Sequence, residues 1–250
     1  MNGIERGGLI IYIVGTGTFV NTGAIVAGGL VGYIFQRLLK EKLQQAIMQA
    51  IGVAVLFIGI AGTLSQMLVI HGTHIGTQGT LMATISLALG TLVGELVDID
   101  AQFVRLGKWL RRKVGSSNDS RFVDGFVTAS LTVCVGAMAI IGPIQDAMLH
   151  DPNMLFTKAV LDGVIIAIFT AAFGLGALFS ALPVFVFQMA VTLLAALIAP
   201  LLSTAMTNGI SLVGSMMIFC IGINLLFDLK IRVANMLPSL LIVVAYVALT

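Results

Sequence analysis

Residues 163–227, GVIIAIFTAAFGLGALFSALPVFVFQMAVTLLAALIAPLLSTAMTNGISLVGSMMIFCIGINLLF, contain no Asp, Glu, Lys or Arg. The same holds for residues 9–36, 43–94, 125–145 and 233–250. With 58% hydrophobic and 10% charged residues and a mean hydropathy of +1.09, the chain has too little polar surface to cover a water-soluble globule. The lipid bilayer must act as its solvent. The apolar residues run continuously instead of alternating, and every backbone polar group in hydrocarbon needs an internal partner, so the spans are helices and not barrel strands.

A spanning helix takes about 20 apolar residues. Dividing the charge-free blocks by that length and by their turn residues predicts an all-α polytopic bundle of about eight spans in one integral membrane domain, residues 1–250. The spans fall within 9–36 and near 47–70, 81–97, 125–141, 163–178, 184–203, 210–227 and 233–249. Short basic loops stay on the cytoplasmic side. Arg37, Lys40 and Lys42 follow the first span, Arg105 to Arg121 the third, and Lys230 and Arg232 the seventh. All are odd-numbered connections, which predicts a prokaryotic inner-membrane protein with both termini outside. Arg6 and Lys158 fall on the other side, as does the loop holding Asp146, His150 and Asp151. The eight polar residues at the start, MNGIERGG, lack a basic n-region and read as uncleaved. Cys134 and Cys220 lie in predicted spans and read as small buried hydrophobes. The formal charge of +2 sits in inner loops, so it reports topology and anionic lipid, with no nucleic-acid partner implied.

In the basic loop 98–121, Phe103, Val104, Leu106, Leu110 and Val114 recur at roughly helical spacing between cations. That pattern suits an amphipathic helix over 99–114 lying on the inner leaflet with Trp109 near the headgroups; a soluble cytoplasmic hairpin is the alternative. Weak internal repeats also appear. Gly28 and Gly32 in GGLVG match Gly90 and Gly94 in GTLVG, a spacing that permits close helix approach and would serve a homo-oligomer. Asp124-Gly125 and Asp162-Gly163 open spans of opposite direction, which hints at an inverted relation.

Gly17-Thr18 with Asn21, then GGLVG, GELVDID, RFVDGFVTASLTVCVGAMAIIG, LDG, FSALPV ending at Phe187-Gln188, and IRVANMLP occur in that order. Over about residues 17–250 the chain resembles the YdfK/YqgA family of bacterial membrane proteins, domain of unknown function 554. The resemblance implies an integral inner-membrane protein of prokaryotes and carries no established activity with it. Family members usually begin close to the Gly-Thr-x-x-Asn element, which about a dozen residues precede here.

Function then rests on polar groups in or near hydrocarbon, where an ionisable side chain costs about 2.5–3.5 kcal/mol on insertion scales. Glu95, Asp124, Asp162, Asn21, Gln188 and Asn224 qualify, with Ser180 between Gly174, Gly176 and Pro183 where an interrupted helix would expose backbone to a solute. Each has a structural alternative. Asp124 and Asp162 stand where helices begin and suit caps; Glu95 suits an ion pair with the inner loops; the amides suit interhelical hydrogen bonds worth about 0.6 kcal/mol each. Catalytic motifs such as H-E-x-x-H, G-x-S-x-G or a Walker loop do not occur, and His71 and His74 alone make no closed metal site. These features favour a transporter or channel for a small solute or ion, without cofactor or metal. A structural or regulatory membrane subunit is the competing class, and an intramembrane enzyme ranks third.

Overall fold

The computed structural model describes residues 13–36, 41–71, 74–116, 121–135, 138–227 and 229–249. The fold is a helical bundle with one short β-hairpin. Helices α1 (Thr16–Gln36), α2 (Glu41–Met67) and α3 (Thr80–Val97) match the first three predicted spans. Between α2 and α3 the chain forms a hairpin of β1 (Leu68–His71) and β2 (His74–Thr77), antiparallel with Leu68 opposite Thr77 and His71 opposite His74. The β-branched Val69, Ile70 and Ile75 favour this ladder, which takes the last residues of the predicted second span, 68–70, and the outer loop after it.

Asp98 adopts a left-handed conformation (φ 52°), ends α3, and accepts from the Ala101 N–H at the start of α4 (Ile99–Val114). One residue thus turns the chain out of a span and caps the next helix. The amphipathic helix is where the sequence places it. Its apolar side is also a bundle contact, with Leu110, Phe103 and Leu106 against Phe122 and Phe126, while Trp109 stays exposed. Arg111, Arg112 and Lys113 occupy its last turn, where cations complement the helix dipole.

Three predicted spans differ. The fourth is two helices, α5 (Phe122–Cys134) and α6 (Met138–Leu149), bent by 57°. The fifth, α7 (Asn153–Phe173), begins ten residues before the predicted 163 and carries Lys158 and Asp162 inside it. The sixth region is a 3-10 turn (Ala177–Ser180) and α8 (Ala181–Leu193), then α9 (Ala195–Ile198) and a further 3-10 turn to Leu201, bent by 62°. Helix α10 (Thr204–Phe227) and a turn (Val233–Met236) leading into α11 (Pro238–Leu249) complete the chain. Among the described residues five helices are long and apolar enough to cross a bilayer, or seven if each bent pair is one span; the eighth predicted span, 233–249, is apolar but shorter.

Helix α1 packs along α7, α2 along α10, and α3 along α11. Glycines set these approaches. A Cβ on Gly28 would strike the Gly163 carbonyl, and one on Gly32 the Ala167 carbonyl; one on Gly90 would strike Ser239, and one on Gly94 the Asn235 carbonyl. The four glycines of the repeated motif therefore serve close packing within one chain, and a homo-oligomer through them would have to displace it. The outward faces, with Leu96, Leu193 and Leu241 each at least 74% exposed, suit lipid. Cys134 and Cys220 are free thiols, half-buried. Arg6, Arg37, Lys40 and the opening polar residues lie outside the described residues.

Candidate functional site

An ion pair lies inside the bundle. Lys158 and Asp162 stand four residues apart on α7, so they share a face one turn apart. Their exposures are 7% and 3%, and Lys158 Nζ lies 2.9 Å from Asp162 Oδ1 and 2.8 Å from Oδ2. The same ammonium donates to the Val133 carbonyl at 2.8 Å. That carbonyl is in the last turn of α5, where carbonyls have no partner within the helix, so the break between α5 and α6 supplies an acceptor that a continuous span would not.

Two amides close the other side. Asn21 Nδ2 of α1 donates to Asp162 Oδ2 at 3.1 Å and to Gln188 Oε1 of α8 at 3.2 Å, and both residues are at most 1% exposed. Asn21 Oδ1 and Gln188 Nε2 are buried and have no hydrogen-bond partner among the described residues. One turn earlier on α1, Thr18 Oγ1 faces Thr192 Oγ1 at 3.5 Å. The Gly17 N–H donates to Asp146 Oδ2 of α6 at 2.9 Å. Asp146 is fully buried and places a carboxylate at the positive end of α1, where first-turn amides need acceptors. Gly17 has no side chain because Asp146 and Leu155 occupy that space.

Of the residues expected from sequence, the fold therefore brings Asn21, Asp162 and Gln188 into direct contact. Asp162 is in the middle of α7 and not at its start, so capping does not explain it and its match to Asp124 is not positional. Asp124 is in the first turn of α5, three residues after Arg121, which holds the cap position. Glu95, at the far end of α3, accepts from Arg232 Nη1 at 2.5 Å, as the ion-pair reading anticipated. Asp98 also pairs with Arg232, and Asp100 stands 3.9 Å away. Asn224 both donates to and accepts from the Ile231 backbone, at 2.8 and 3.0 Å, so it is tied to the turn after α10. Ser180 is buried in its 3-10 turn, its hydroxyl unpartnered among the described residues, and bonds to none of the central group.

Sequence reasoning missed Lys158, Asp146 and the Val133 carbonyl. The charge pattern places Lys158 and Asp146 in an outer loop, whereas α7 and α6 carry them into the bundle. The available signal was the i, i+4 spacing of Lys158 and Asp162, which lets a span carry both charges as a neutral pair.

A cavity of about 640 Å³ opens at the α4 end of the bundle. Asp100, Asp124, Asn224, Lys230 and Arg232 line it, and its wall follows α5 through Thr128 to Leu131. Burial raises the Asp100 carboxyl above the usual carboxylate range, against the opposing pull of Arg232. Leu131 is two residues short of Val133 in α5, so the helix that lines the cavity also supplies the carbonyl that holds Lys158. Among the described residues no cluster of three His, Cys, Asp or Glu could hold a metal ion.

The sequence profile of the family described as "Protein of unknown function (DUF554)" matches residues 16–248. The chain belongs to the DUF554 family. Its helices span nearly that whole match, and the buried Asn21, Asp162 and Gln188 all fall inside it. This DUF554 chain is 32% identical over 226 residues to "Uncharacterized membrane protein YdfK" of Bacillus subtilis (strain 168), covering 90% of this chain and 93% of the relative. It is 27% identical over 233 residues to "Uncharacterized protein YqgA" of Escherichia coli (strain K12), with the same coverage of 90% and 93%. No solved structure matches it. The apolar helices and the membrane relative together make it a membrane protein.

Proposed function

We propose that this protein is a transporter or channel for a small solute or ion in the prokaryotic inner membrane. One observation carries the reading: a buried Lys158–Asp162 pair, tied to two amides from other helices, sits at the break of a span whose α5 half lines a cavity. A charged pair in hydrocarbon is costly to keep, and broken spans that expose backbone carbonyls are a common way to build binding sites at membrane depth. A packed scaffold gains nothing from it that apolar residues would not supply.

The competing reading, a structural or regulatory subunit, draws support from Asn224, whose amide is fully committed to the Ile231 backbone. Flux decides between them. Reconstituted into liposomes and screened with protons, alkali and divalent cations and small organic ions, the protein is expected to move at least one species faster than empty liposomes do. Asp124→Asn in the cavity wall is expected to slow that flux while leaving the fold intact, because Asn keeps the size of Asp at this first-turn position without the charge. Absence of flux for every species would sink the reading in favour of a scaffold.

In the proposed orientation the cavity faces the cytoplasm and both termini face outward, as the Lys/Arg bias requires. Reporters active on one side only, fused after Ser117 and after Thr250, are expected to report inside and outside respectively. Inner-side activity after Thr250 would overturn this topology.

A further inference from the structure

Building on the transport reading above, we propose that the buried centre is a binding site for a dehydrated monovalent cation of about ammonium size, with the Lys158 ammonium as a tethered occupant that such a cation displaces. Three oxygens from two elements already surround one positive charge: Val133 O at 2.8 Å and the two Asp162 oxygens at 2.8 and 2.9 Å from Lys158 Nζ. A ring of carbonyl and carboxylate oxygens around a unit charge is the arrangement by which proteins replace an ion's hydration shell. Lys158 reaches the ring on a flexible four-carbon stem, whose change of rotamer would release the ring to a free cation.

The amides provide a second, independent sign. Asn21 Oδ1 and Gln188 Nε2 are buried without partners among the described residues, a cost that a static structural network would normally remove. A half-turn of the Asn21 amide puts Oδ1 where Nδ2 now lies, 3.1 Å from Asp162 Oδ2. Two oxygens that close repel unless a cation bridges both from one side. A matching half-turn of Gln188 lets its Nε2 donate to the turned Asn21 oxygen, fixing it toward the ion. The half-turns exchange which atoms are partnered, so that Asn21 Oδ1 becomes an acceptor for the cation and Gln188 Nε2 the donor that orients it.

Charge sets the class. Exchanging the ammonium for a monovalent ion leaves the buried charge unchanged, whereas a divalent ion would add an uncompensated charge in a low-dielectric interior. Size follows from packing, since the space released by the departing ammonium is that of one ammonium among residues at most 7% exposed.

The test is binding of radioactive rubidium to the purified full-length protein in detergent, measured against choline. Wild type is expected to bind weakly, because the ammonium competes. Lys158→Met keeps the stem and removes the charge, and is expected to bind rubidium at least about tenfold more tightly. The double variant Lys158→Met/Asp162→Asn is expected to bind none. Unchanged affinity in Lys158→Met, or a double variant that binds as well as Lys158→Met, would overturn the site. Should Lys158→Met aggregate in choline, recovery of monodisperse protein in rubidium supports the site, and aggregation in both salts overturns it. The assay needs no flux. Rubidium binding without transport keeps the site and removes the transport reading, while transport with unaltered binding in Lys158→Met does the reverse.

Discussion

Lys158→Met is expected to destabilise the protein in choline buffer by about 3–5 kcal/mol, the usual loss when one member of a buried pair is removed and the other is left uncompensated. For a chain of this size that corresponds to a fall in Tm on the order of 10 °C. The cause is Asp162, which is 3% exposed and would keep only the Asn21 N–H as a donor. Adding Asp162→Asn should restore most of the loss, because an apolar side chain facing a neutral amide leaves no buried charge. Thermal unfolding in detergent of wild type, single and double variants checks this. A single variant as stable as wild type would mean that the pair is not buried as described.

The second large effect is expected at the close helix approaches. Gly28→Val and Gly94→Val each drive a branched side chain into a backbone carbonyl, of Gly163 and Asn235 respectively, which cannot rotate away as a side chain would. Overpacking typically costs about 1–3 kcal/mol, and contact with backbone places these variants at or above the top of that range. Gly23 lies on the same helix as Gly28, yet nothing stands within 4 Å of its Cβ position. Gly23→Ala is therefore expected to be neutral or stabilising by about 0.5–1 kcal/mol from helix propensity. Fluorescence-detected size-exclusion profiles of the three variants read this directly. Monodisperse Gly28→Val and Gly94→Val with unchanged Tm would contradict the intrachain role of the motif.

The contrast between these glycines shows what the sequence could reveal. Charge-free length placed α1, α2, α3 and α10 because a bilayer imposes one requirement on every span, and that requirement is local. The periodicity of Phe103, Leu106 and Leu110 similarly exposed α4. The breaks in the fourth and sixth spans were not legible, since 125–141 and 184–203 are as apolar and charge-free as a continuous helix of that length. Lys158 was hidden by a rule that treats cations singly. On a helix, its partner four residues on neutralises it and allows α7 to begin ten residues earlier than its charges alone permit. Asn21, Asp162 and Gln188 were chosen for cost in hydrocarbon, which identified three members of one cluster. Glu95, Asn224 and Ser180 were chosen on the same or weaker grounds and lie elsewhere, because cost selects polar residues without saying which of them meet. The pairing of Gly28 with Gly163, and of Gly94 with Asn235, likewise joins residues too far apart in the chain for any local pattern to connect.

Flux through the Lys158→Met/Asp162→Asn double variant tests the central claim most directly. That variant removes both charges of the buried centre without leaving either one unpaired, so folding and function separate. Reconstituted beside wild type and supplied with a species that wild type moves, it is expected to stay monodisperse with a Tm near wild type and to transport at least about tenfold more slowly. Transport by the folded double variant at the wild-type rate would contradict the claim that this centre lies on the path.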